Sequence, residues 1–240
     1  MANPIPCAPA STACPRAADA AAVAVVAGRT ALVAGATGLV GREILQGLLA
    51  DDTVVAVHAL GRRNPGWQHP KLTFHTVDFS ALPALPPVQE VYLALGTTIK
   101  VAGSQSAFRA VDFDANLAVA RAARAAGAKR LGLVSAMGAS ARSAVFYNRV
   151  KGELEEALAG LGFATLVIAR PSFLVGDRAS LGQPERRGEN LARRVGSLLG
   201  PIIPKSLRPI AAGDVARALL RAVPTATGDQ LLLSGDMQPA

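Results

Sequence analysis

The sequence predicts an α/β fold: a single doubly wound parallel sheet with helices on both faces. Apolar runs of strand length alternate with longer stretches of helical periodicity between Thr30 and Leu233, the order of βαβ units with right-handed crossovers. Half of the 240 residues are apolar, yet only 4% are aromatic. A core of Ala, Val, Leu and Ile suits strands buried on both faces. The third observation is Thr30–Leu45, TALVAGATGLVGREIL, where a short apolar run passes through Gly35, Gly38 and Gly41 into helix-forming residues. A strand, a turn bare of side chains and a helix N-terminus follow one another there, so an anion can approach unpaired backbone N–H groups.

Taken in order, Met1–Gly28 is rich in Ala and Pro and reads as a flexible or loosely docked leader. Residues 29–240 form the domain. Strands are expected at Ala31–Ala34, Val54–Leu60, Leu72–Val77, Val88–Leu95, Leu131–Val134, Ala164–Ile168 and Gln230–Leu233, each a short apolar run between turn residues. Helical spacing of apolar residues places helices at Val40–Ala50, Ser106–Gly127, Tyr147–Leu161, Asn190–Leu199 and Gly213–Val223. The link holding Asn64-Pro65-Gly66 and His69-Pro70 is too short and too rich in breakers for a helix. Residues 176–210 are first Gly- and Arg-rich and then Pro-rich. They follow the last long strand, where a doubly wound fold can place a substrate lid.

Composition narrows the function classes. The net charge of +8 invites nucleic acid, but the basic pairs Arg62-Arg63, Lys129-Arg130, Arg186-Arg187 and Arg193-Arg194 are scattered and lack interleaved aromatics for base stacking. A solvated basic surface is the better reading, with no nucleic-acid partner. Cys7 and Cys14 have no Cys or His neighbours at metal spacing, which speaks against both a disulfide framework and a metal site. No window approaches the roughly eighteen uninterrupted apolar residues of a membrane span, and no basic segment precedes an apolar core as in a secretory signal. The cytoplasm is the expected compartment, without membrane association.

The glycine turn is the first candidate site. Gly35 permits the bend, Gly38 the approach of a diphosphate and Gly41 close packing of helix on strand. Thr37, Leu39 and Val40 complete this cradle. At the end of the second strand, where a carboxylate would receive the ribose hydroxyls of NAD, stand Arg62 and Arg63. Guanidinium groups there suit a 2′-phosphate, so NADP is preferred over NAD; the alternative is a pair of solvated loop arginines. Asp78, with Phe79 beside it, either receives the adenine amino group or caps a helix. Leu95-Gly96-Thr97 either flanks the adenosine half or forms a plain turn. Tyr147 and Lys151 stand four apart in an expected helix and so share a face. A cation beside the phenol favours phenolate and makes Tyr147 a usable proton donor or acceptor. The chain has only two tyrosines, so chance rarely supplies that spacing. Ser135, at the end of the fifth strand, is either a substrate-holding hydroxyl or a strand-end turn residue.

From Thr30 to Leu233 the chain resembles short-chain dehydrogenases/reductases of the extended or atypical kind, epimerase-like proteins and the branch that includes the human Tat-interacting protein. The motifs are Gly35-x-x-Gly38-x-x-Gly41, Leu95-Gly96-Thr97-Thr98, Ser135, Tyr147-x-x-x-Lys151 and Arg170-Pro171-Ser172, in the order and at the intervals of that family. The resemblance implies a Rossmann fold in which Ser135 polarises the substrate oxygen and Tyr147 is the general acid/base. It implies that Lys151 binds the nicotinamide ribose, and that Pro171, Ser172 and Phe173 lie near the nicotinamide. One position departs: Asp112 stands where many members carry an asparagine that supports a water relay to the lysine, and Asn116 lies one turn away. The implied activity is NADP(H)-dependent reduction of a small carbonyl or sugar-like substrate by a monomer or a homodimer. The alternative is an NADPH-binding regulator with little turnover.

Overall fold

The computed structural model describes residues 28–175 and 204–239; the expected leader, most of the expected lid and the expected helix at residues 190–199 lie outside them. Strand β1 (Arg29–Ala34) leads into helix α1 (Leu39–Ala50), and β2 (Val54–Gly61), β3 (Leu72–Thr76) and β4 (Glu90–Leu93) follow. Next come two short helices, α2 (Ile99–Ala102) and α3 (Gln105–Arg109), a π-helical turn (Ala110–Ala115) and α4 (Asn116–Ala125). The chain continues through β5 (Arg130–Val134), α5 (Phe146–Ala159), β6 (Thr165–Arg170) and β7 (Leu174–Val175). Beyond a 3-10 turn at Lys205–Leu207, β8 (Ile210–Ala211), α6 (Ala212–Thr225), β9 (Gly228–Leu233) and α7 (Ser234–Met237) complete the described chain.

The sheet has seven strands in the order β3-β2-β1-β4-β5-β6-β9, and every neighbouring pair is parallel. The expected doubly wound parallel sheet is therefore present. Alternation along the strands supplies both faces. Ala31 and Val33 pack under α1 and α6 with Ile44, Leu48, Val215 and Leu219, whereas Leu32 and Ala34 pack under α4 and α5 with Val119, Ala123, Leu154 and Leu158. Strand order reverses between β1 and β4, which opens a crevice beyond their carboxyl ends.

Several elements differ from expectation, each for a local reason. The expected helix at Ser106–Gly127 begins at Gln105, where the Ser104 hydroxyl accepts from the Ala107 N–H at 3.0 Å, and is broken by the π-helical turn. One extra residue in a turn leaves the average periodicity almost unchanged, so the pattern of apolar residues does not reveal it. The expected strand at Val88–Leu95 shortens to β4, because the chain past Leu93 leaves the ladder to run beside Gly35. The two-stranded β7–β8 sheet was not expected; its strands are too short to carry a pattern. No described helix is long and apolar enough to cross a membrane.

The amino-terminal edge of the sheet carries a charge cluster built on one buried carboxylate. Arg29 Nη1 lies 2.8 Å from Glu90 Oε1, and its Nη2 also pairs with Asp51. Glu90 is 1% exposed and also accepts from the Tyr92 hydroxyl at 3.2 Å. Burial pushes its carboxyl above the ordinary range, although Arg29 opposes the shift. Arg29→Ala is expected to lower stability at neutral pH by about 3 kcal/mol, because it strands that carboxylate. The folded carboxyl holds its proton more tightly than the unfolded one, so acidification relieves the bare charge and the deficit should shrink toward pH ~5. Urea unfolding at the two pH values reads both effects.

Candidate functional site

Gly35 adopts φ +89°, and a Cβ there would lie 2.5 Å from the Ala94 carbonyl oxygen; only glycine lets β1 turn this close to the end of β4. A Cβ on Gly41 would come within 2.0 Å of the Gly35 carbonyl oxygen, so the third glycine seats α1 against the turn. Gly38 is the N-cap: its N–H donates to Gly35 O at 2.9 Å. No side chain caps α1 and no acidic residue stands in its first turn. Thr37 is exposed, Leu39 half-buried and Val40 buried. The helix therefore offers a bare, electropositive N-terminus at the β1/β4 crevice, with room that a side chain would fill.

Around this cradle, Arg62 and Arg63 lie just past the carboxyl end of β2, both exposed, and neither forms an ion pair among the described residues. Asp78 follows β3. Its Oδ1 accepts from the Ser80 N–H at 2.9 Å and the Ser80 hydroxyl at 2.7 Å, and these bonds hold its carboxyl below the usual range. No helix follows it, so the helix-cap alternative falls and a turn built on its own side chain takes its place. Phe79 beside it packs against the core.

The loop after β4 is tied to the π-helical turn at two points. Asn116 Nδ2 donates to Leu95 O at 3.2 Å, and also to the carbonyls of Val111 at 3.2 Å and Asp112 at 3.1 Å, which the turn exposes. The Thr97 N–H donates to Asp112 Oδ2 at 2.8 Å. The other carboxylate oxygen, Oδ1, lies 2.8 Å from Lys151 Nζ, with the two side chains 1% and 5% exposed. Gly96 covers this pair: a Cβ there would stand 3.4 Å from Asp112 Oδ1 and 3.8 Å from Lys151 Nζ.

Helix α5 presents Tyr147, Lys151 and Glu155 at successive i, i+4 positions of one face. The Tyr147 ring packs on the fully buried Phe108, with centroids 5.4 Å apart. Burial opposes the charge on Lys151. The Asp112 carboxylate, the Tyr147 phenol and Glu155 outweigh that opposition, so its ammonium is held above the ordinary lysine range. A lysine whose folded value is raised contributes stability that persists at neutral pH and is lost only as pH climbs through that value.

Tyr147 and Lys151 share a face of α5 as their spacing implied, and Ser135 is buried beside that helix. Its N–H still donates into the sheet, to Ala169 O at 2.8 Å. Its hydroxyl donates to Glu155, and the residue is 5% exposed. Ser135 directly follows β5, and this bond ties the end of the strand to α5. The Glu155 carboxylate also takes Arg170 Nη2 at 2.5 Å and Nε at 3.1 Å. Glu155 is a residue that the motif reading missed, although the spacing that joins Tyr147 to Lys151 points equally to it; Arg170 belongs to the Arg170-Pro171-Ser172 motif, and its pairing with Glu155 is what the motif did not reveal. Past β6, Pro171 O accepts from the Met137 N–H at 2.9 Å. The Ser172 hydroxyl donates to Arg208 O and meets the Ser234 hydroxyl at 2.9 Å. Phe173 is 69% exposed.

A family described as NAD(P)H-binding matches residues 35–192. Protein fmp52, mitochondrial, of Emericella nidulans is 37% identical over 173 residues, 68% of this chain and 72% of its own length. Its counterpart in Candida albicans is 33% identical over 190 residues, 75% and 82% of the two chains. Among solved structures, UDP-glucose 4-epimerase of Thermotoga maritima superposes with a TM-score of 0.65 at 15% identity, over 86% of this chain and 77% of that one. WbmH of Bordetella bronchiseptica, solved with NAD+, gives a TM-score of 0.61 at 17% identity, over 86% and 76%. Likeness at such identities establishes the shared fold. The cytoplasmic expectation is overturned, because the curated relatives over most of the chain are mitochondrial proteins. That expectation rested on tests for secretion and membrane spans, neither of which detects an organelle address.

Proposed function

The chain belongs to the family described as NAD(P)H-binding, and from that premise we propose that it is an NADP(H)-dependent reductase of the short-chain dehydrogenase/reductase type, acting on a small carbonyl or sugar-like substrate. The observation that carries this reading is the placement of Tyr147 and the buried Lys151 on α5, tied through Asp112 to the loop that borders the glycine cradle. The bare N-terminus of α1 would hold the diphosphate, with Gly35, Thr37, Gly38, Leu39, Val40 and Gly41 around it. Leu95, Gly96 and Thr97 would border the nucleotide, Asp78 and Phe79 would serve the adenine end, and Pro171, Ser172 and Phe173 the nicotinamide end. When bound, the reduced nicotinamide supplies a hydride to the carbonyl carbon. Tyr147 Oη gives its proton to the carbonyl oxygen, yielding an alcohol, and recovers one from solvent. Lys151 orients the ribose and stands as a fixed cation beside the phenol.

Arg62 and Arg63 set the cofactor preference in this reading. Replacing both by Ala is expected to weaken NADPH binding by about tenfold or more and to leave NADH binding almost unchanged, because only NADPH carries the phosphate they would neutralise. NADPH and NADH fluorescence titrations measure this, and equal losses for both would remove the preference. The commitment of the Ser135 hydroxyl to Glu155 favours a second reading, an NADPH-binding regulator with little turnover. NADPH oxidation against a panel of aldehydes, quinones and keto sugars, with Tyr147→Phe as the control, separates the two.

A further inference from the structure

We infer that Asp112 is a positioning residue that holds Lys151 as a charge-compensated pair, so that the lysine acts on Tyr147 as a fixed, partly neutralised cation and does not pass protons. The catalytic meaning of this pair rests on the proposed reductase function, whereas the pairing itself can be tested without cofactor or substrate.

An asparagine at this place would offer the lysine a neutral amide. A carboxylate puts a full opposite charge 2.8 Å from Nζ and strengthens the hold of the ammonium on its protons. Asp112 cannot turn away, since its second oxygen accepts the Thr97 N–H and the π-helical turn that carries it is braced by Asn116. Among the described residues, no other carboxylate beside Lys151 is available for this task. Glu155, four residues along α5, is shared between Arg170 from β6 and Ser135 from the end of β5. Of the remaining charged side chains here, Arg109 pairs with Glu153, and Arg149 donates to Ser143 O over the Phe146 ring. Helix α3 contributes the apolar Phe108 against Tyr147. Burial works against the Lys151 charge, yet the ammonium is held above its usual range, with Asp112 the strongest opposing influence. A lysine held in this way keeps its proton while Tyr147 exchanges its own with solvent.

Lys151 reports the pairing directly. In Asp112→Asn its ammonium should release its proton about one pH unit or more below the parent, because burial then acts without the opposing carboxylate; side-chain NMR of the lysines, assigned with Lys151→Met, follows this release. Asp112→Glu, which keeps the charge, should stay near the parent. Unchanged proton release in Asp112→Asn overturns the inference. If that variant does not fold, a double variant with Lys151→Met that is no more stable to urea than Lys151→Met alone overturns it instead, because the double variant buries no lone charge. Failure of NADPH to bind would remove the reductase reading and leave this titration unaffected, so the two failures are distinguishable.

Discussion

Tyr147→Phe is expected to lower NADPH-dependent carbonyl reduction by about 10²- to 10⁴-fold, the usual contribution of a positioned acid. The substitution removes one hydroxyl and nothing else. The ring keeps its packing on Phe108, and Lys151 keeps its Asp112 partner at 2.8 Å. The glycine cradle that would hold the diphosphate lies on α1 and β1. NADPH affinity should therefore stay within about twofold, which places the loss in the chemical step. Stopped-flow or steady-state oxidation of NADPH gives the rate, and fluorescence titration gives the affinity. Turnover that survives the substitution would remove Tyr147 from the chemistry, and tight NADPH binding with no turnover in the parent would favour the regulator.

The second large effect is on stability. Glu155→Ala is expected to cost about 3 kcal/mol, near the lower end of the range for breaking a buried ion pair. The carboxylate side is 7% exposed and the Arg170 side 26%, so solvent screens part of the loss. The substitution leaves the Arg170 guanidinium unpaired below α5, removes the acceptor of the Ser135 hydroxyl and opens a void between α5 and the ends of β5 and β6. Glu155→Gln retains an acceptor for Ser135 and should cost less. Chemical unfolding of both variants measures this. A loss below about 1 kcal/mol for the alanine variant would mean that the cluster is replaceable by water.

Much of the architecture was legible before any coordinates. Alternating apolar runs placed all seven strands of the main sheet, and the helices α1, α5 and α6 fall within a few residues of the positions their periodicity implied. The Gly35 and Gly41 roles followed from sterics alone, and both are visible in the contacts an added Cβ would make. Tyr147 and Lys151 were joined by a helical interval, which is a local rule. The bond of the Ser135 hydroxyl to Glu155 was not legible, because it joins residues that only the packing of α5 beside β5 brings together. The π-helical turn was invisible for a related reason: its single extra residue is a matter of backbone hydrogen bonding, and composition carries no record of it.

What the sequence by itself determined is the set of local interactions: strand and helix periods, the glycine turn, and the shared face of residues 147, 151 and 155. These depend on neighbours within a few positions, and their physics is complete in a short segment. Only the tertiary structure decided that Asp112 would meet Lys151 across 39 residues of chain, that Glu155 would serve Arg170 and Ser135, and that Ser135 would face inward. Such pairings require crossing helices and strand ends to be brought within about 3 Å, where charge and hydrogen bonding act. No periodicity in the chain encodes that distance.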